Sequence, residues 1–211
     1  MIGNKPLLEH HILKLRDAGV TTVVINTHHF AEQVEAFVES NDFGVTIHLS
    51  HEAELLGQGG GLWLASKYFQ EDSPFLVCNS DIYTDLDLSR LVSKHEALAN
   101  LATLAVAQRE TSRYLRFDDH NQLCGWENRS TGAVVSWDDR RFETWAFNGV
   151  QVMSPGIFKH MEGMGSSFST IPVFLKAAQD GERVGAFAMD ESYWIDIGTV
   201  QKLEQLRAYI Q

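Results

Sequence analysis

Thr21-Thr22-Val23-Val24-Ile25-Asn26 is an unbroken β-branched run, the kind of segment that forms a strand buried on both faces of a parallel sheet. Upstream, Leu7, Leu8, Ile12 and Leu15 fall at helical spacing behind Pro6 and ahead of Gly19, so a helix over 6–18 leads into this strand. Downstream, a helix over about 30–40 is followed by a second strand over 45–49. The alternation then continues: a helix opened by Gly59-Gly60-Gly61, a strand over 74–78, a helix over 88–97 and a strand over 101–106. Such a rhythm predicts an α/β protein, Rossmann-like, with a mostly parallel sheet and helices on both faces.

From Arg113 to Trp145 the pattern changes. Short strand-like pieces over 114–117 and 122–126 are joined by Asp118-Asp119-His120-Asn121, which is hairpin-turn chemistry. Turn-rich 128–132 and the charged run 138–141 extend this into an antiparallel excursion. A strand over 145–153, a short helix from Ser154-Pro155, a helix over 170–178, a strand over 184–188 and a closing helix over 199–210 complete the chain. No repeat or linker interrupts it, so residues 1–211 read as one domain with a small excursion over 113–145.

The composition, 44% hydrophobic and 21% charged over 211 residues, is that of an ordinary globular chain. A formal net charge of −11 argues against nucleic acid as a partner, since such proteins carry a basic face. It leaves room for a phosphorylated small molecule, whose charge a few cations, backbone amides and a metal can neutralise. Cys78 and Cys124 lie apart without metal-ligand spacing, and no apolar run reaches the length of a membrane span. Reduced thiols and a cytoplasmic, membrane-free protein are the expectation.

Two segments carry candidate chemistry. Phe75-Leu76-Val77-Cys78-Asn79-Ser80-Asp81 and Tyr193-Trp194-Ile195-Asp196-Ile197-Gly198-Thr199 each deliver one aspartate to the end of an apolar strand. Carboxylates from two strand ends can converge to hold a hard divalent cation against phosphate oxygens. Either aspartate alone could equally be a turn or cap residue. Asp85 and Asp87 read as structural, with Asp87 or Ser89 capping the helix at Leu88. Gly57-Gln58-Gly59-Gly60-Gly61 could bring backbone amides to a ligand, with Gln58 reading polar edges of a base or sugar, although a glycine run is more often a flexible turn. His10 and His11 project about 100° apart on a helix and cannot share one ion. No nucleophile-and-base arrangement stands out.

In order along the chain, these segments resemble the sugar-1-phosphate nucleotidyltransferases, and most of all the mannose-1-phosphate guanylyltransferase and N-acetylmuramate-1-phosphate uridylyltransferase-like enzymes. Gly3 to His10 is similar to the segment opening the family's first long helix, Leu56 to Gly61 to its base-binding loop and Asn79-Ser80-Asp81 to its metal segment. Phe147-Asn148-Gly149-Val150 is similar to its sugar-site strand, and Trp194 to Thr199 to its W-x-D-[IT]-G-T motif. The resemblance implies transfer of a nucleoside monophosphate from a nucleoside triphosphate to a sugar 1-phosphate, with pyrophosphate released. It implies Asp81 and Asp196 as catalytic residues on Mg²⁺, and Gln58, Gly59, Gly60, Asn79, Glu127, Asn148 and Gly149 as substrate-binding residues.

The chain departs from the family pattern in three places. The G-x-G-T-R-L-x-P-L-T loop and the P-K-P segment that precede this helix in the family are not found here, and Lys5 aligns with a later position. The strand before that loop is central in the family's sheet, so a gap is expected that would favour self-association. Gln58 replaces the usual threonine, and Glu127-Asn128 stands where many relatives have Glu-Lys. Two other functions remain open on the sequence: a nucleotide-sugar-dependent glycosyltransferase, and a non-catalytic module of the same fold.

Overall fold

The computed structural model describes residues 1–69, 72–137, 141–189 and 191–210. In chain order the helices are α1 (Leu7–Asp17), α2 (Ala31–Glu39), α3 (Gly57–Ala65), α4 (Leu88–Ala97), α5 (Thr170–Gln179) and α6 (Val200–Ile210). The strands are β1 (Thr22–Thr27), β2 (Thr46–His51), β3 (Phe75–Cys78), β4 (Ile82–Thr84), β5 (Ala102–Ala107), β6 (Arg113–Asp118), β7 (Leu123–Asn128), β8 (Ala133–Ser136), β9 (Phe142–Met153), β10 (Val184–Ala188) and β11 (Trp194–Asp196).

The expected βαβ alternation is present, and one long strand runs through it. β1 pairs with β2 and β10 with β5, both in parallel. β9, entered from the excursion, runs antiparallel to β3, β5 and β6. β3 and β5 therefore point the same way on either side of a reversed strand. Ladders in the larger sheet are consequently mostly antiparallel, although the strands that alternate with helices share one direction. The reversal follows from the route: a hairpin excursion brings the chain back from the opposite end.

Strand periodicity sorts the core onto both faces of this sheet. Ala102, Leu104 and Val106 of β5, with Val184 and Ala186 of β10, pack beneath α5 beside Leu62 of α3. Ala105, Val150, Val152 and Phe187 point the other way and pack with Leu88 and Leu91 of α4. A third cluster joins Ile2, Ile195 and Leu206, seating α6 on β11.

β6 and β7 form an antiparallel hairpin, with Asn121 at φ 60° in the turn between them. The sequence reading did not resolve β8, which pairs with β7 along the excursion's edge, and residues 138–140 of the charged run lie outside the described residues. β1–β2 and β3–β9 belong to separate sheets. Among the described residues no strand bridges β1 and β3. No helix among them is long and apolar enough to cross a membrane.

Candidate active site

The segments that carry the two aspartates come together through a short ladder that the sequence reading missed. β4 and β11 are three-residue strands paired antiparallel, with Asp196 opposite Ile82 and Trp194 opposite Thr84. The ladder extends one step further, where the Ile197 amide donates to the Asp81 carbonyl at 2.8 Å. Tertiary structure thus makes neighbours of residues 115 positions apart in sequence. Asp85 closes the far end, accepting from the Tyr193 amide at 2.7 Å and the Tyr209 hydroxyl at 3.1 Å. Asp87 caps α4 by accepting from the Ser89 and Arg90 amides. Both are structural, as expected.

Asp81 is exposed. Asp196 is half-buried and paired with Lys202 of α6. The Lys202 ammonium holds the Asp196 carboxyl below the usual carboxylate range, burial opposes this, and the Gly198 amide and Arg109 reinforce it. Lys202 was absent from the sequence reading, though a signal existed. A lysine in the first turn of a helix faces the positive end of the dipole, so a nearby anion should have been sought. Thr199 supplies the cap there, its Oγ1 accepting from the Lys202 amide at 3.3 Å.

The Asn148-Gly149 strand joins both segments. Gly149, at φ +76°, accepts at its carbonyl from the Asn79 amide (2.8 Å), and a Cβ there would lie 2.7 Å from Asn79 Nδ2. Glycine is required on both counts. Trp194 Nε1 donates to the Asn148 carbonyl at 2.8 Å. Asn79, Asp81, Asn148, Gly149 and Asp196 therefore form one connected patch, bordered by a cleft of about 250 Å³ that Arg109, Asn148, Ser192 and Trp194 help to line.

The glycine segment packs into the fold. Gly59, Gly60 and Gly61 lie within α3 and are buried. The Gly59 and Gly60 amides both point at the Phe168 carbonyl, at 2.9 and 3.4 Å. Added Cβ atoms would collide with the Phe168 ring at Gly59, the Ser166 carbonyl at Gly60 and Glu52 at Gly61. Here these glycines admit the chain's own 166–168 segment, and only Gly57 and Gln58 of the group are exposed. α3 packs on β1, β2 and α5, elements other than the ladder that carries the aspartates.

Glu127 is ion-paired within the excursion. Its Oε2 accepts from Arg116 Nε and Nη2 at 2.9 and 2.7 Å, and its Oε1 from Arg129 Nε at 2.7 Å. Burial raises the Glu127 pKa, but the two arginines outweigh it and the net shift is downward. Asn128 accepts from Ser130 within a turn. Both acceptor oxygens of Glu127 are thus committed to holding the excursion together. Of the histidines, His10 contacts the Ile2 carbonyl and His28 the Glu52 carbonyl, while burial is the chief cause that lowers the His11 pKa.

A nucleotidyl transferase family model matches residues 1–211. Among curated relatives, the chain is 30% identical over 203 residues to the mannose-1-phosphate guanylyltransferase catalytic subunit beta of Drosophila pseudoobscura pseudoobscura, covering 93% of this chain and 52% of that protein. It is 28% identical over 203 residues to a Candida albicans mannose-1-phosphate guanyltransferase, covering 93% and 53%. The chain thus spans about half the length of these relatives. Among solved structures, Yersinia pseudotuberculosis HddC superposes with a TM-score of 0.76 at 20% identity, covering all of this chain and 88% of that one. A UDP-glucose pyrophosphorylase complexed with UDP-glucose superposes at 0.79 with 13% identity, covering 99% and 88%. These structures share the fold, and the family match extends over the whole chain, including every segment of the patch assembled above. The protein belongs to the nucleotidyl transferase family.

Proposed function

We propose that this chain transfers a nucleoside monophosphate from a nucleoside triphosphate to a sugar 1-phosphate, giving a nucleotide-sugar and pyrophosphate in the cytoplasm. The observation that carries the reading is the hydrogen-bonded junction of Asn79–Asp81, Asn148–Gly149 and Trp194–Asp196 beside an open cleft. A sugar-phosphate oxygen attacks the α-phosphorus, a new P–O bond forms, and the bond to the β-phosphate oxygen breaks as pyrophosphate leaves. Such chemistry asks the protein mainly for alignment and a preorganised field.

Asp81 and Asp196 fit a hard divalent ion by donor chemistry. They are carboxylates on adjoining segments, one exposed and one already facing a cation, Lys202. Among the described residues no group of three or more His, Cys, Asp or Glu could hold a metal. Two carboxylates with the remaining positions left to water and phosphate suit Mg²⁺ better than an all-protein cage. When bound there, Mg²⁺ would neutralise charge on the phosphate oxygens. Asn79 holds Gly149 in place, Trp194 fixes the Asn148 backbone, and Lys202 keeps Asp196 ionised.

Pyrophosphate release from GTP, UTP, CTP and dTTP with mannose or glucose 1-phosphate, with and without Mg²⁺, tests the proposal. Metal-dependent release with a preferred base is expected. Release of nucleoside diphosphate from a nucleotide-sugar would point to a glycosyltransferase, and turnover in neither assay to a non-catalytic module.

A further inference from the structure

Arg109 lies two residues past the end of β5 and had no part in the sequence reading. Its guanidinium lies over the Trp194 ring, 4.3 Å from the centroid. Its Nε donates to Asn148 Oδ1 and its Nη2 to the Phe147 carbonyl, both at 2.8 Å. Among the described residues its Nη1 makes no hydrogen bond. Asn148 is 1% exposed, and because its Oδ1 is committed to Arg109, its Nδ2 must point the other way. Among the described residues that nitrogen is buried with no acceptor, although buried donors are normally satisfied.

A fixed cation thus borders a cleft of about 250 Å³ that Asn148 also helps to line, and none of its described lining residues is acidic. The complement is a ligand that brings both negative charge and acceptor oxygens, and phosphate matches a guanidinium fork in geometry. The space suits a phosphate with part of a sugar, and is small for a whole nucleoside triphosphate.

We propose that Arg109, held in place by Asn148, forms the anion subsite for the phosphate monoester of the acceptor sugar phosphate. The assignment rests on the nucleotidyl-transfer reading for the identity of the acceptor, while the anion subsite itself rests on geometry. Asp196 adds support. It lies close enough for its charge to act on Arg109, so a phosphate held by Arg109 is presented beside the proposed metal ligands.

Isothermal titration of the 211-residue chain with mannose 1-phosphate, glucose 1-phosphate, the two parent hexoses and GTP tests the subsite. One or both sugar phosphates should bind, and the parent hexoses at least about tenfold more weakly. Arg109→Gln should weaken sugar-phosphate binding roughly 10- to 100-fold, as expected for loss of a charged hydrogen bond, and leave GTP within about twofold. Arg109→Lys, keeping charge without the fork, should fall between. Ser192→Asp provides a second route if Arg109→Gln folds poorly, because it sets an anion in the cleft and leaves the Arg109 hydrogen bonds intact. It should weaken sugar phosphates and spare the hexoses.

Sugar-phosphate binding unchanged in both Arg109→Gln and Ser192→Asp, or absent from the wild type, would overturn the subsite. An Arg109-dependent loss confined to GTP would also overturn it, since the phosphate would then be the nucleotide's. Pyrophosphate release separates this from the broader reading. Arg109-dependent binding without release leaves the subsite standing and sinks the transfer reaction. Release with an unchanged sugar-phosphate KM in Arg109→Gln does the reverse.

Discussion

Gly60→Ala sets two physical effects against each other. In an exposed helix interior the substitution stabilises by about 1 kcal/mol, because alanine is the better helix former. Gly60 is buried in α3, however, and its new Cβ would lie 2.8 Å from Leu56 Cβ and closer still to the Ser166 carbonyl oxygen. That oxygen belongs to backbone, so relief requires moving the 166–168 segment. The same segment is tied to the helix by the Phe168 carbonyl on the Gly59 amide and by the Phe168 amide on the Leu56 carbonyl. Overpacking of this kind costs about 1–3 kcal/mol, and losing a hydrogen bond adds about 1 kcal/mol. Set against the helix gain, the net should be a destabilisation of about 2 kcal/mol. At about 2–4 °C per kcal/mol for a chain of this size, the Tm should fall by about 4–8 °C. Thermal unfolding followed by far-UV circular dichroism reads this directly. A Tm equal to or above wild type would refute the packing account and return the glycines to the role of an open ligand cradle.

Asp81→Asn and Asp196→Asn should each lower metal-dependent pyrophosphate release by about 10²-fold or more with little change in Tm; a loss below about threefold would remove that aspartate from the metal site. Glu127→Gln leaves Arg116 and Arg129 without their carboxylate, and with Glu127 and Arg116 side chains only 12% and 14% exposed the cost should be about 3 kcal/mol, read as a Tm lower by about 6–12 °C. A raised sugar-phosphate KM at unchanged Tm would instead make Glu127 a substrate contact. His95 is buried between the Thr103 and Ser154 hydroxyls, each 3.0 Å away, and burial holds its pKa below the ordinary 6.5. The unfolded chain takes up that proton first, so this stability is complete above pH 6.5 and is lost as pH falls through the lower folded value. Between pH 7.5 and 5.5 the wild-type Tm should therefore drop more than that of His95→Gln, and parallel profiles would refute the assignment. Burial also pushes the Cys78 thiol up to about 12, so iodoacetamide at pH 8 should label it only after unfolding; rapid native labelling would contradict that.

The elements of this fold follow from local periodicity. The β-branched run 21–26, the Pro6–Gly19 bracketing of α1 and the Asp87 cap of α4 each act within a few residues, so a single chain displays them. The two aspartates, too, stood out as strand-end carboxylates. Tertiary structure decided what those residues do. The β4–β11 ladder consists of two three-residue strands, too short for any period to register, and it alone places Asp196 beside Asp81. The reversed β9 depends on the route of the excursion rather than on its own alternation. Glycine tolerates both a ligand and a neighbouring segment, so only the position of Phe168 shows which one α3 accommodates. Arg109 carries no spacing signal toward its partners, and Lys202 shows only as a cation in a helix's first turn, because electrostatic pairing acts through space. Sequence thus determined the parts with short-range causes, and long-range contact determined which charges share a site.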